Sequence, residues 1–470
     1  MEATADALVR LVDASRATID LTALYWSLRP SGDEEDTAGW TVSELIELFG
    51  AGHGAALFAV LDAAAARGVR LRILQSPGFG REAPGDDGPP CPTDSAVLLA
   101  GHPAAVEVRT VDLDAWYGGG IMHQKLWVFD GRSVYLGSAN ADWRSLSQVK
   151  ELGLVVEDSP EVAADVTRYF EAWWRFAAAP LETTVVFDPA SRIERRVPAW
   201  SPLVGTGAHP SDPLGGDDLH ALSRWDAPLR VALNDEQGDL VLSGAPRELC
   251  RGGRTYDEEL LAATILDAGH QVCVSVMDFA PISLRRPPRA RPADRDRDDV
   301  EDEGTDGDDG PGPVWWPVLT DALVRAAVTN RAHVRLLVSE WAHTSQVVTP
   351  LLVALETTAV AALGHRLAHR FEIRRFRVPG WRETLEPADD GAADPTPRAR
   401  PRYPGHTRVN HAKYVVTDRR INVGTSNMTW DYFNGTAGSS LNATHPTLVR
   451  QLQAHFDRDW ASDHSLPLRP

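Results

Sequence analysis

Two short phrases in the chain carry residue types able to hold and attack a phosphate. His123-Gln124-Lys125 is followed after four residues by Asp130, and then by Gly137-Ser138-Ala139-Asn140. The order returns 288 positions later as His411-Ala412-Lys413, four residues, Asp418, then Gly424-Thr425-Ser426-Asn427. In the first copy Lys125, Trp127 and Phe129 alternate with Leu126 and Val128, a strand pattern that sets His and Lys on one face. A phosphodiester transition state needs pre-placed charge and donors, a nucleophile, and an acid for the leaving oxygen. Two histidines can divide the last two tasks, one forming a phosphohistidine while the other protonates the leaving alkoxide and then activates water. Lys125 and Lys413 would hold the non-bridging oxygens, with Ser138, Asn140, Thr425 and Asn427 as further donors. Two lysines already neutralise the phosphate, so the scheme calls for no metal and no other cofactor.

A lone histidine on a strand is ordinarily a core or surface residue; the doubled spacing is what points to chemistry. Asp130 and Asp418, seven past their histidines, project to the opposite face and are expected to support the motif strand. Trp143 follows a tight turn and could stack on a base or headgroup, or simply pack. Tyr25, Trp26 and His343 fall at strand ends where they could line the site. The remaining tryptophans, among them Trp173, Trp315, Trp316 and Trp460, read as core.

The elements around the motifs repeat as well. Leu11 to Ser15 leads into an alternating run over Thr18 to Leu24, as Ile265 to Gly269 leads into Val272 to Met277. The helix Ala56 to Arg67 feeds the strand Val69 to Leu74, and Val318 to Thr329 feeds Val334 to Val338. Each motif is followed by a helix ending in an aromatic pair four apart, Phe170 with Trp174 and Phe456 with Trp460. Such alternation predicts βα crossovers on a mixed sheet flanked by helices. The chain is expected to be two duplicated α/β domains, 1–195 and 237–470, packed about a pseudo-twofold with one shared site. The Pro-, Gly- and Asp-rich stretch 196–236 reads as a linker, the acidic insert 285–313 as disordered, and 384–404 as a loop.

At 470 residues with 43% apolar side chains the chain can bury two cores. Its net charge of −19 argues against broad binding along a nucleic-acid backbone and confines any phosphate substrate to a locally positive pocket. Cys91, Cys250 and Cys273 form no metal-like spacing, though one bridge among them stays open. No run reaches the roughly 18 apolar residues of a membrane span, and Thr4 to Ser15 reads as an amphipathic helix rather than a signal sequence. The expectation is a soluble, cytoplasmic protein with no stable membrane insertion, for which a monomer suffices.

HxKxxxxD followed by GSxN, twice in one chain, resembles the phospholipase D superfamily. The runs His123 to Asp130 and Leu136 to Gly153, with Val409 to Thr417, Gly424 to Asn427 and Tyr432 to Gly438, are similar to the lysosomal phospholipase-D-like proteins of animals. The resemblance covers most of the chain apart from the linker and inserts. It implies either a 5′-exonuclease on single-stranded DNA or RNA or a phospholipase D or phosphatidyltransferase on a glycerophospholipid. An inactive phosphate-binding module is the third reading, against which both copies keep their His and Lys. The resemblance also implies a carboxylate supporting a motif histidine. Glu151, 28 residues past His123, fits that place, while Gly435 stands near it in the second half. His123 is therefore expected as nucleophile, backed by Glu151, and His411 as general acid and base. Alanine, arginine and aspartate in preference to lysine and isoleucine suggest a high-GC bacterial source.

Overall fold

Each motif runs straight into a short strand buried on both faces. Leu126–Phe129 and Tyr414–Thr417 begin one residue after the motif lysine, so His and Lys sit on the extended approach to the strand. Leu126 and Val128 enter one apolar cluster, Trp127 and Phe129 another. The alternation read in the sequence thus separates two cores rather than core from solvent. This computed structural model describes residues 2–31, 37, 39–77, 93–205, 209–284, 313–384 and 401–468. The inserts expected over 285–313 and 384–404 fall mostly outside them, as does Cys91. Cys250 and Cys273 are free thiols.

The first half forms a six-stranded sheet in the order Val106–Thr110, Arg70–Gln75, Thr18–Ala23, Leu126–Phe129, Ser133–Gly137, Gly153–Val156. The first three are parallel, with helices Gly52–Ala66 and Asp94–Gly101 between them in the chain, and the last three add antiparallel. The second half repeats this strand for strand as Phe371–Phe376, His333–Ser339, Gln271–Val276, Tyr414–Thr417, Ile421–Gly424, Gly438–Ala443. Leu229–Leu233 and Glu236–Ala245 extend it at one edge and Ser465–Pro467 at the other. The fold is therefore α/β, with mixed sheets flanked by helices and a duplicated domain.

Duplication reaches the side chains. Phe170 stacks on Trp174 with ring centroids 5.6 Å apart, and Phe456 on Trp460 at 5.5 Å. Arg72 and Arg109 cover the first pair as Arg335 and Arg374 cover the second, adding cation–π attraction to apolar burial. The halves share one core, in which Trp173, Phe176 and Leu136 meet Leu242, Ala437 and Leu441.

The stretch read as a linker is irregular over most of its length but packed, and its last part is the sheet strand Leu229–Leu233: Trp200, Leu214, Leu219 and Val231 enter that shared core. Asp165, on helix Pro160–Phe176, accepts from Leu222 N at 2.8 Å and pairs with buried Arg254, also at 2.8 Å. Irregular backbone with local polar partners leaves no periodic trace, which is why composition alone suggested a tether. Trp315, expected in the core, is 62% exposed. No single described helix is long and apolar enough to cross a membrane.

Candidate active site

Each motif is stitched by main-chain hydrogen bonds to the other half of the molecule. Met122 pairs with Ala437; His123 N donates to Ala437 O at 3.2 Å and Ala437 N to Ile121 O at 2.9 Å. At the related position Lys150 pairs with Asn410; His411 N donates to Lys150 O at 2.8 Å and Lys150 N to Val409 O at 2.9 Å. These reciprocal bridges bring the two imidazoles face to edge, 6.1 Å between centroids. Both motif lysines are buried, each donating Nζ to its own histidine's carbonyl, at 2.9 Å for Lys125 and 2.6 Å for Lys413. A phosphoryl group between the rings would find a nitrogen on either side, the arrangement that in-line displacement requires.

Glu151 is not where the resemblance placed it. Its carboxylate accepts from His411 Nδ1, 2.9 Å to Oε1 and 3.0 Å to Oε2, across the seam. The chain crosses to the second motif at Lys150 before starting strand Gly153–Val156, so Glu151 faces the other half's histidine and not His123. His123 Nδ1 donates instead to the main-chain oxygen of Thr425 at 2.8 Å. Gly435 is not Glu151's counterpart either. The bridges pair Lys150 with Asn410 and Ala437 with Met122, and strand register sets Gly153 against Gly137 and Ser440 against Gly424. Gly438 therefore occupies the related place, and a Cβ there would collide with Ser426 Oγ.

Burial dominates the electrostatics. It drives His123 well below its ordinary range, with Lys125, Lys413 and His411 pressing the same way. His411 is lowered to about 4 by burial, with Glu151 opposing. Burial lowers Lys413 to about 7 against the pull of Glu151 and Asp278, and holds Lys125 well below its usual value. Burial works to raise Glu151, but His411, Lys413 and the Ser138 hydroxyl outweigh it, leaving the carboxylate below its ordinary range. A phosphate anion among these groups would favour every ammonium and imidazolium at once.

The other expected residues divide. The Ser138 hydroxyl donates to Leu152 O at 3.1 Å and accepts from Leu152 N at 3.0 Å; Thr425 Oγ1 accepts from Ser439 N at 3.1 Å. These hydroxyls hold neighbouring strands where the sequence suggested phosphate donors. Oδ1 of both Asn140 and Asn427 is buried without a protein hydrogen bond, and Asn427 Nδ2 donates to Asp278 Oδ2 at 2.8 Å. Asp130 accepts from the main-chain nitrogens of Arg16, Ala17 and Thr18, each at 2.8 Å. Asp418 does the same for Gly269, His270 and Gln271, at 3.0, 2.9 and 3.3 Å. Trp143 is fully buried among Trp40, Leu45, Phe49 and Ala51 at the start of a short helix, so it packs and offers no face to a substrate. Trp26 is likewise core. Tyr25 donates to Asp142 Oδ2 at 2.7 Å, and exposed His343 stacks on His406 with centroids 4.5 Å apart.

Two residues escaped the sequence reading. Asp278 lies two residues past strand Gln271–Val276 as Tyr25 lies two past Thr18–Ala23; burial pushes its carboxyl up to about 6, with Lys413 opposing. Aligning the two strands would have exposed a carboxylate opposite a tyrosine. Tyr432 sets its ring edge-on to His123, 5.0 Å between centroids.

Residues 46–174 match the family described as "Cardiolipin synthase, PLD-like domain". The chain is 31% identical over 466 residues to the "5'-3' exonuclease PLD3" of Rattus norvegicus, covering 98% of this chain and 75% of that protein. It is 30% identical over 456 residues to the "Virion nicking-joining enzyme" of vaccinia virus, covering 96% and 81% respectively. Identity to "Phospholipase D Z" of Dictyostelium discoideum is 29% over 465 residues, covering 99% and 86%. In fold it resembles the crystal structure of phosphatidylserine synthase from Haemophilus influenzae, with TM-score 0.51 and 12% identity over 98% of this chain and 84% of that one. These sequence relatives are eukaryotic and viral, so a bacterial source rests on composition alone. Likeness of this degree along the whole chain places the protein in the phospholipase D superfamily, as an enzyme of the phosphodiesterase type.

Proposed function

We propose that the protein is a metal-independent phosphodiesterase working through a phosphohistidine, and that it acts on the 5′ end of single-stranded nucleic acid. The carrying observation is the unequal support of two facing imidazoles, a carbonyl on His123 Nδ1 and a carboxylate on His411 Nδ1. The Thr425 carbonyl fixes the tautomer that leaves His123 Nε2 unprotonated, and burial keeps the ring neutral, as a nucleophile must be. Glu151, expected from the sequence behind the nucleophile, contacts the other ring: it favours the imidazolium of His411, which suits that ring to donate a proton. His123 Nε2 bonds to phosphorus as the phosphorus–oxygen bond breaks, and His411 passes its Nε2 proton to the leaving alkoxide. His411 then takes a proton from water, whose oxygen attacks phosphorus and frees His123. Lys125, Lys413 and the amides of Asn140 and Asn427 would hold the non-bridging oxygens.

Nucleic acid is favoured over lipid because the rat relative is named an exonuclease and the vaccinia relative a nicking-joining enzyme. Two observations support the lipid reading: the Dictyostelium relative is named a phospholipase D, and helix Val42–Phe49 exposes Val42 and Ile46, four apart on one face, at 44 and 43%, an apolar pair able to meet a bilayer surface. Incubation with 5′-hydroxyl and 5′-phosphate oligonucleotides, with and without EDTA, and in parallel with phosphatidylcholine, separates the two. Stepwise nucleotide release that persists in EDTA and is lost in His123→Ala is expected; choline release alone overturns the nuclease. A trapped phosphoenzyme is expected on His123, and one on His411 inverts the two roles.

A further inference from the structure

Rings and guanidinium groups line one side of the seam, on the loops around the second motif. His343 and His406 lie parallel, 6° between planes at 4.5 Å, and Trp341 meets both edge-on at 4.7 and 6.0 Å. Trp381 carries Arg377 and Arg382 over its ring at 4.8 and 4.6 Å, and Tyr403 carries Arg408 at 3.8 Å. These pieces are contiguous. The turn at Gly380, φ +83°, packs against the Tyr403 ring, which meets Phe49 of the first half at 6.2 Å. Asn410, the residue before His411, donates its main-chain N–H to Ser339 Oγ at 3.2 Å, two residues before Trp341. The strip therefore begins at the end of strand His333–Ser339, beside the residue that precedes His411.

Its charge runs against that of the molecule. The chain carries −19, yet segments 339–344, 375–384 and 401–408 hold five arginines against two acids. Glu340 is paired by Arg375 at 3.1 Å and Arg377 at 2.8 Å, and Glu383 by Arg402 at 2.9 Å. Each acid is thus matched locally, and the excess is positive. A locally positive strip on an acidic chain attracts a polyanion to that strip. Rings interleaved with guanidinium groups complement what successive nucleotides present in turn, a π-face and a phosphate, without sequence preference.

We propose that this strip is the track for the single-stranded tail of a polynucleotide whose terminal phosphodiester lies between His123 and His411. The proposal rests on the nuclease reading above. Its test is the dependence of KM on substrate length, comparing a dinucleotide with a decanucleotide in the wild-type protein, in Arg382→Glu/Arg402→Glu, and in His406→Ala. The wild-type KM for the decamer is expected to lie about tenfold or more below that for the dimer, because each stacked base and paired phosphate adds affinity. In the charge-reversed variant that ratio should fall to about threefold or less, and log KM for the decamer should depend less steeply on log salt. His406→Ala should narrow the ratio without changing the salt slope, since it removes a ring and leaves the guanidinium groups. A wild-type ratio near one, or a ratio that all variants retain, overturns the track while leaving the nuclease intact. Wild-type protein that releases choline but cleaves neither oligonucleotide overturns the nuclease itself.

Discussion

His123 and His411 have the same intrinsic chemistry and differ in what accepts their Nδ1 protons. A carbonyl selects a tautomer; a carboxylate also stabilises the charged ring. Glu151→Gln keeps an acceptor and removes the charge, so it should lower kcat on an oligonucleotide by about 10²- to 10³-fold, within the range that acid catalysis supplies. A p-nitrophenyl ester leaves without needing a proton, so its loss should be much smaller; equal losses on both would place Glu151 behind the nucleophile. Asp278 gives a second handle. It occupies the Asn427 amide and faces Lys413, both groups a phosphate would use, and burial pushes its carboxyl up to about 6. Protonated below that pH it is a neutral neighbour, and ionised above it competes with the substrate anion. On its account kcat/KM should fall about threefold to tenfold as pH rises through 6, and Asp278→Asn should lack that step. Lys413, held near 7, adds a further fall at higher pH that survives the substitution. A step at 6 retained in the variant assigns it to another group.

The motif aspartates act on elements. Each lies where its motif strand turns and gathers three main-chain N–H groups at the start of the neighbouring strand, Thr18–Ala23 for Asp130 and Gln271–Val276 for Asp418. Asp130→Ala or Asp418→Ala leaves those donors with water at best, so each should cost about 1–3 kcal/mol. The shift would be read as a lower urea midpoint, with activity lost in step with the folded fraction; activity lost at full folding would instead put the aspartate in the chemistry. Such anchors were legible as a spacing, as were the duplicated strands, helix Pro160–Phe176 and the His–Lys pairs, because all are local patterns. What escaped depends on which element lies beside which. The sequence shows that Trp143 follows a tight turn, not that Gly54 and the Trp40 cluster close over it. Counting 28 residues from His123 to Glu151 cannot show that the chain crosses the seam in between. Trp315 shows the converse failure: a tryptophan just ahead of helix Val318–Val328 reads as core in the sequence, although its neighbour Trp316 takes the buried place.

At the scale of the molecule, duplication gathers more positive groups at one seam than burial tolerates. Each half brings a histidine and a lysine, and the seam's bridges close over all four. Burial answers by resisting charge: His411 stands near 4 against about 6.5 in an unfolded chain, and Lys413 near 7 against about 10.4. The signs follow by linkage. Between pH 6.5 and 4 the unfolded chain binds a proton at His411 that the folded chain does not, so folding loses stability as pH falls through that window. Between pH 7 and 10.4 the unfolded chain keeps a proton that Lys413 has lost, so on that group's account stability rises with pH. An anion bound between the motifs opposes both effects by favouring imidazolium and ammonium. Binding should therefore draw protons from solution and tighten toward lower pH. Tungstate is a tetrahedral dianion that does not itself titrate near neutrality. Calorimetry of its binding at pH 7 in two buffers of different ionisation enthalpy should report uptake of about one proton, shared among Lys413, Lys125 and His411. At a hundredfold excess over Kd the complex should gain about 2.7 kcal/mol of stability, with a larger rise in Tm at pH 6 than at pH 8. Proton release, or binding indifferent to pH, would mean that the seam already carries its full charge and that burial does not set the chemistry of the two motifs.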